Sequence, residues 1–376
     1  VKRLGILGGG QLGRMLLQRA ADYPLEVCVL DPDPQAPCRS FCNQFTTADF
    51  RDPAKVEDFG RSCDAVTLEI ENVSVEGLAR LQQAGVRVVP EPEVLAVIVD
   101  KGTQKTFYRD NGFPTAPFLL VTDSEDTRQA VREGFTFQKL RRSGYDGYGV
   151  RDLSAGETPL EGPSVMERRL EVAAELAVIA ARDPFGMVVT YPAVEMVFHP
   201  QVHRLQYQLC PASLPFSVTD EAEKLAARLI STLNMTGLLA VEFILDKDGK
   251  LWVNECAPRP HNSGHHTIEA FDISQYDMLL RILQGLPVRP PQMRSPSAMV
   301  NILGGPQASG VPDYKGFLRR MAGEVCYLHL YGKERVKPLR KMGHLTLLEA
   351  DREKLRHRAA ALSEIAYIEA RNTGGE

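Results

Sequence analysis

Residues 239–255, Leu239-Ala-Val-Glu242-Phe-Ile-Leu-Asp246-Lys-Asp-Gly249-Lys-Leu-Trp-Val-Asn-Glu255, decide how the chain is read. Two apolar runs flank Asp246-Lys-Asp-Gly249, a composition that joins antiparallel strands. The spacing predicts strands at Leu239–Leu245 and Lys250–Glu255. A turn centred on Lys247 and Asp248 sets Glu242 opposite Val253. Glu255 then lies two residues on, on the same sheet face, as a diagonal neighbour of Glu242. Two carboxylates on one face of otherwise apolar strands are costly without a cation. Mg²⁺ shared between carboxylates and substrate phosphates meets that need. The alternative is that one glutamate lies at the surface.

Working outward, Gln138-Lys139-Leu140 ends a predicted strand, Phe135–Leu140. Ser143-Gly144-Tyr145-Asp146-Gly147-Tyr148-Gly149 follows at once. A strand lysine beside a flexible glycine loop supplies charge and N–H donors to a triphosphate. No Gly-Lys-Ser/Thr is present, so this is not a P-loop, and a mobile hairpin is the rival reading. Between loop and hairpin stand Met166-Glu167-Arg168-Arg169-Leu170 and, further on, Glu175. A strand end can offer backbone groups to an adenine edge, and a nearby carboxylate can bind ribose hydroxyls. Surface salt bridges would account for the same residues.

The N-terminal region alternates strand and helix. Strands are predicted at Leu4–Leu7, Leu25–Leu30, Ala65–Leu68 and Val86–Val89. Helices are predicted at Arg14–Asp22 and Val75–Ala84, with one long helix over Pro92–Asn111. This order implies a doubly wound parallel sheet. Gly8-x-Gly10-x-x-Gly13 follows the first strand, and Asp31 ends the second. Taken alone this fits a dinucleotide fingerprint and suggests an NAD-dependent oxidoreductase; the rival is a non-dinucleotide anion site. Beyond Gly112 come strands at Phe118–Val121, Val165–Arg168, Ala174–Ala181 and Met187–Val197, and helices at Asp126–Glu133 and Asp220–Asn234. Pro287–Pro296 reads as a linker. Short strands Ala298–Leu303, Val325–Tyr331 and His344–Leu348 and a terminal helix Glu353–Arg371 complete the chain.

The 376 residues suggest two or three domains. A net charge of −4 disfavours a nucleic-acid binder. No apolar run approaches the roughly 18 residues of a membrane span, and no leader is predicted. Seven scattered cysteines read as reduced thiols, so a cytoplasmic enzyme is expected.

In order along the chain, the lysine with its glycine loop, the Glu167 segment, Glu175 and the Glu242/Glu255 hairpin resemble the ATP-grasp fold. Five segments narrow the resemblance: Gly8-Gly-Gly-Gln-Leu-Gly-Arg-Met15, Thr67-Leu-Glu-Ile-Glu-Asn72, Gly144-Tyr-Asp-Gly147, Asn254-Glu-Cys-Ala-Pro-Arg-Pro-His-Asn-Ser-Gly-His265 and Arg340-Lys-Met-Gly-His344. Together they resemble the N5-carboxyaminoimidazole ribonucleotide synthetase family, from about Leu4 to His344. The resemblance implies an α/β and α+β architecture: an N-terminal doubly wound domain over 1–111, an ATP-grasp lid over 112–180 and a C-terminal ATP-grasp part over 181–376 with a small β-rich lobe from about 297. It implies ATP-dependent carboxylation of 5-aminoimidazole ribonucleotide with bicarbonate through carboxyphosphate, in a cytoplasmic homodimer. Neither nucleic acid nor membrane is an expected partner.

Site roles follow from the same resemblance. Lys101 and Lys139 would contact ATP phosphates under the loop of Gly144, Tyr145, Asp146, Gly147 and Gly149. Glu167, Arg168, Arg169 and Leu170 would hold adenine, Glu175 the ribose, and Asn254 and Glu255 the nucleotide. Glu242 and Glu255 would hold Mg²⁺, two ions, with Mn²⁺ as a substitute. Arg259, His261 and Asn262 would orient bicarbonate, and Tyr145 or Asp146 would assist proton transfer. Gln11, Leu12, Glu71, Lys337 and Arg340 would bind the ribonucleotide. His261, His265 and His266 also form a possible transition-metal cluster, though without partners of a recognised spacing. Tyr148, Val150, Phe198 and His266 depart from the family pattern; at Phe198 a nucleotide-contacting histidine is missing unless His199 substitutes. Rivals are a formate-dependent glycinamide ribonucleotide transformylase-like ligase, a biotin carboxylase subunit, or an ATP-binding regulator without catalysis.

Overall fold

Apolar strands followed by amphipathic helices build a five-stranded parallel sheet at the N-terminus. Its spatial order is Gln44–Thr47, Glu26–Asp31, Arg3–Leu7, Ala65–Leu68, Arg87–Val89. The computed structural model describes residues 1–142, 149–198 and 205–371. Sequence patterning misses Gln44–Thr47 because this short edge strand is largely polar. The single helix expected over Pro92–Asn111 is two, Pro92–Ile98 and Lys101–Asp110. Asp100 leaves the helical conformation, and its carboxylate accepts from Gly102 N and Thr103 N. An aspartate that caps a new helix ends the old one. The same carboxylate accepts from Arg141 Nε at 2.8 Å, which ties the helix start to the next sheet.

That second sheet is antiparallel, in the order Phe118–Val121, Ser164–Arg168, Phe135–Leu140, Val150–Asp152. It ends at Arg168, short of the lid boundary expected near 180. Strand Val172–Arg182 belongs instead to a ten-stranded sheet. The main path of that sheet runs Leu251–Ala257, Gly237–Asp246, Val172–Arg182, Val194–Phe198, Leu205–Cys210, Ser297–Gly304, Lys341–Leu348, Tyr327–Leu330. Tyr207 pairs with Val300, so the C-terminal lobe continues the central sheet across the irregular Pro287–Pro296 segment. The strand expected over Met187–Val197 is broken into Val188–Thr190 and Val194–Phe198 around Pro192, which has no N–H for the ladder. The last helix runs Arg352–Ile365 and stops before Arg371, because Tyr367–Ile368 pairs in parallel with Leu303 and Gly304. Among the described residues no helix is long and apolar enough to cross a membrane.

The first glycine loop is closed from within. Gly10 N, Leu12 N and Gly13 N donate to the half-buried Glu69 carboxylate at 2.9, 3.1 and 3.1 Å. Gly9 N donates to Asp31 at 2.6 Å. A Cβ on Gly10 would lie 2.6 Å from Glu69 Oε1, so glycine is needed there for the carboxylate's approach. The donors of helix Gln11–Ala20 that a pyrophosphate would use are therefore taken by the chain's own acid, which overturns the dinucleotide reading. Burial pushes the Glu69 carboxyl up against the opposing pull of these bonds. Replacing Glu69 with Ala strands three amides, so urea unfolding of Glu69→Ala is expected to show a loss of about 2–3 kcal/mol. A loss below about 0.5 kcal/mol would contradict this account of the loop.

Candidate active site

The Gly237–Asp246 and Leu251–Ala257 hairpin differs from the simple pairing in one respect that decides the site. Phe243 pairs with Val253 and Ile244 with Trp252, but Glu242 pairs with Glu255. Asn254 is the extra residue of a β-bulge, which shifts register between the two pairs. Glu242 thus meets Glu255, two residues beyond the expected Val253, and the two carboxylates stand directly opposite rather than diagonally. On the neighbouring strand Ala177 pairs with Glu242 and Glu175 with Ile244, so Glu175 shares their face.

This concentration of carboxylates shapes their ionisation. Burial, then the charges of Glu255 and Glu175, push the Glu242 carboxyl up. Lys101, whose ammonium touches Glu255 Oε2, holds the Glu255 carboxyl low. Burial pushes Glu175 up to about 7. Among the described residues no group of three or more metal-ligating side chains is assembled. A cation here would have two opposed carboxylates and draw its other ligands from phosphates and water, which suits Mg²⁺.

The cationic wall comes from two other elements. Helix Lys101–Asp110 carries Lys101 and Lys105 one turn apart, and strand Phe135–Leu140 carries Lys139. Lys139 Nζ lies 2.8 Å from Asn254 Oδ1 and 3.0 Å from Glu167 Oε2, while Lys105 Nζ lies 2.6 Å from Glu167 Oε1. With Gln104 and Val165 these residues line a narrow cleft that their own ion pairs fill. Lys105 was not anticipated. Its sequence signal is a lysine four residues beyond Lys101, on the face that also buries Gln104 and Tyr108. Burial pulls its ammonium down to about 8 against the attraction of Glu167.

The neighbouring expectations divide. The Arg168 guanidinium lies over the Phe135 ring and that of Arg169 pairs with Asp152, and neither Arg168, Arg169 nor Leu170 lines the cleft. Gly149 accepts from Leu140 N and closes its hairpin. Gly144, Tyr145, Asp146, Gly147 and Tyr148 lie outside the described residues, as does His199. Val150 pairs with Lys139, and Phe198 ends its strand.

The segment after the hairpin joins this cleft to the N-terminal domain. Arg259 Nη2 pairs with Glu71 Oε1 at 2.8 Å. His261 Nε2 lies 3.5 Å from Glu242 Oε1. Gln275 grips the His261 backbone from both sides, accepting from its N at 2.9 Å and donating to its O at 2.8 Å. Asn262 is buried, and neither atom of its amide finds a partner among the described residues, so it is poised for a polar ligand. His265 and His266 do not converge with His261. His265 packs against Tyr276 and His344, and His266 bonds Gln208 and meets the Phe271 ring edge-on. The three-histidine metal cluster is not formed.

Of the residues expected to bind the ribonucleotide, Gln11 opens the first helix, and the Leu12 amide is spent on Glu69. Arg14 Nη1 donates to Tyr331 O at 2.9 Å, which brings this helix against the loop that carries Lys337 and Arg340. Arg340 Nη1 donates to Arg335 O, and Gly304 pins the loop by backbone bonds to Leu339 and Arg340.

Opposed carboxylates on a bulged hairpin, facing lysines from a helix and a lid strand, define an ATP-grasp protein. Family models agree: the ATP-grasp domain matches residues 106–276, the ribonucleotide synthetase preATP-grasp domain residues 1–99, and the phosphoribosylaminoimidazole carboxylase C-terminal domain residues 297–358. The N5-carboxyaminoimidazole ribonucleotide synthase of Brucella melitensis is 35% identical over 92% of this chain and 96% of its own. That of Bacillus subtilis is 33% identical over 92% and 91%. The crystal structure of the Thermotoga maritima synthetase superposes with a TM-score of 0.90 at 34% identity, covering 99% of this chain and 100% of its own. The Aspergillus clavatus enzyme, in complex with ADP and 5-aminoimidazole ribonucleotide, gives 0.85 at 28% identity over 97% and 98%. The chain belongs to the N5-carboxyaminoimidazole ribonucleotide synthase family.

Because the Lys105 ammonium is depressed in the fold, the unfolded chain binds more protons between about pH 8 and 10.5. Stability therefore rises with pH across that window. Relative to Lys105→Met, the wild-type chain is expected to gain on the order of 1–3 kcal/mol from pH 8 to 10.5 in denaturant titrations. A flat difference would refute the buried ammonium.

Proposed function

We propose that this chain uses ATP to carboxylate 5-aminoimidazole ribonucleotide with bicarbonate, giving N5-carboxyaminoimidazole ribonucleotide, ADP and phosphate in purine biosynthesis. The observation that carries the reading is the continuity of the site. Glu242 and Glu255 face Lys101 and Lys139 on one side, and the adjoining Arg259 reaches Glu71 of the N-terminal domain on the other. A phosphoryl donor and a small nucleotide acceptor can thus meet over one hairpin.

Lys101 and Lys139 exchange their carboxylate partners for phosphate oxygens when ATP enters. The Glu167–Leu170 segment takes adenine and Glu175 the ribose. Glu242 and Glu255 would hold Mg²⁺, as one or two ions and replaceable by Mn²⁺, and the metal would supply neutralisation of phosphate charge. Arg259, His261 and Asn262 hold bicarbonate so that its oxygen attacks the γ-phosphorus as the bond to ADP breaks. The resulting carboxyphosphate splits into CO₂ and phosphate. The exocyclic amine of the ribonucleotide adds to CO₂ and gives up a proton, for which Asp146 or Tyr145 is the acceptor. Glu71, Gln11 and Leu12 surround the imidazole and ribose, and Lys337 and Arg340 clamp the 5′-phosphate. Arg259 in its pair with Glu71 makes arrival of the ribonucleotide felt at the bicarbonate site. Family resemblance supports a cytoplasmic homodimer.

The test is ADP release from ATP, Mg²⁺ and bicarbonate with and without 5-aminoimidazole ribonucleotide. Stimulation of at least tenfold is expected, with none from formate and glycinamide ribonucleotide. Glu242→Gln and Arg259→Met should each lower kcat by about 10²–10³ with folding retained. Folded wild-type protein without ribonucleotide-stimulated ADP release would overturn the reading.

A further inference from the structure

Three histidines far apart in sequence form one column. His329 and His344 are direct cross-strand partners on Tyr327–Leu330 and Lys341–Leu348, so their rings share a sheet face. The ring centroids are 4.4 Å apart with planes 12° from parallel. His265, from the loop that follows Asn262, stacks on the far side of His344 at 4.6 Å. His265 and His344 are fully buried, and the stack is fixed in direction by bonds at its nitrogens. Tyr331 Oη meets His344 Nδ1 at 3.0 Å, Tyr276 Oη meets His265 Nδ1 at 3.1 Å, and Glu269 holds His329 Nε2 at 2.7 Å.

The column has a place in the site's architecture. One end is tied to the bicarbonate loop, because Gln275, which grips the His261 backbone, also reaches His265 Nδ1 at 3.3 Å. The other end brackets the basic loop: His329 lies just before Tyr331, and His344 lies just after Arg340 and Lys341. Lys337 and Arg340 sit between these two brackets. An apolar cluster would supply comparable burial, but rings bonded at named nitrogens also fix angle and spacing.

We propose that the His265–His344–His329 column is a brace that positions the Lys337–Arg340 loop, and with it the ribonucleotide phosphate, against the bicarbonate loop at Arg259–Asn262. This rests on the function proposed above. The three histidines touch no reacting atom and act through the residues they hold.

His329 is the partly exposed end of the column, so it is the position to vary. In steady-state assays His329→Ala should raise the KM for 5-aminoimidazole ribonucleotide at least tenfold while the KM for ATP stays within twofold. His329→Phe, which keeps a stacking ring, should restore most of that loss. Combined with Lys337→Ala, the effect of His329→Ala should be far less than multiplicative, since both act on one loop. An unchanged ribonucleotide KM, an equal rise in both KM values, or fully multiplicative effects would overturn the proposal. Should His329→Ala not fold, Glu269→Ala carries the same test: a rise of about threefold in the ribonucleotide KM alone supports the brace, and no change refutes it. Inactive wild-type protein would instead refute the function proposed above, so the two failures are distinguishable.

Discussion

The bulge at Asn254 is the constraint on which the other features of the site depend. Without the extra residue, regular pairing would set Glu242 opposite Asn254 and turn Glu255 to the other sheet face. With it, two carboxylates oppose one another and Asn254 is re-aimed at Lys139. Like charges at that spacing are unfavourable, and the protein resolves the conflict unequally. Lys101 keeps Glu255 ionised, whereas Glu242, beside Glu175 and half-buried, resists ionisation. At this hairpin a bound cation would relieve a like-charge conflict that the fold itself creates.

The lysines follow the same logic. Lys105 and Lys139 share the single carboxylate of Glu167, and Lys101 leans on Glu255. Each pair satisfies charges that would otherwise be buried alone, which costs several kcal/mol. Each also keeps the side chain extended into the cleft. In the proposed reaction phosphates would take over the lysines, and a divalent cation, which would be held by Glu242 and Glu255, would take over the carboxylates. Three lysines against the two carboxylates of Glu167 and Glu255 leave the cleft with cationic excess, which suits a phosphate-bearing ligand in the proposed reaction.

How much of this was legible in the sequence depends on the range of the interaction. The Asp246–Gly249 turn, the carboxylates that flank it and the strand lysine Lys139 follow local rules, and their positions were readable. The bulge was not, because it answers to cross-strand contacts rather than to the turn. Asp100 shows the same limit: Pro92–Asn111 reads as one helix until the carboxylate is seen to cap a second one and to bind Arg141 of another sheet. Glu69 is the clearest case. Its motif was visible, but that it would fill a glycine loop 56–59 residues away depends on the β–α order of the folded sheet.

Glu69 also explains why a nucleotide-type domain can serve without a nucleotide in its loop. Once an internal carboxylate occupies the helix N-terminus, the glycine loop becomes a rigid support instead of an anion cradle. The strand end that carries Glu69 also carries Glu71, two residues on, where it meets Arg259. The geometry of the strand–loop–helix unit thereby delivers a carboxylate to the segment that follows the neighbouring domain's hairpin. Arg14, from the same helix, delivers the basic loop through Tyr331. A glycine loop closed by the chain's own acid thus works as a joint that holds the N-terminal sheet against the segment after the Glu242/Glu255 hairpin.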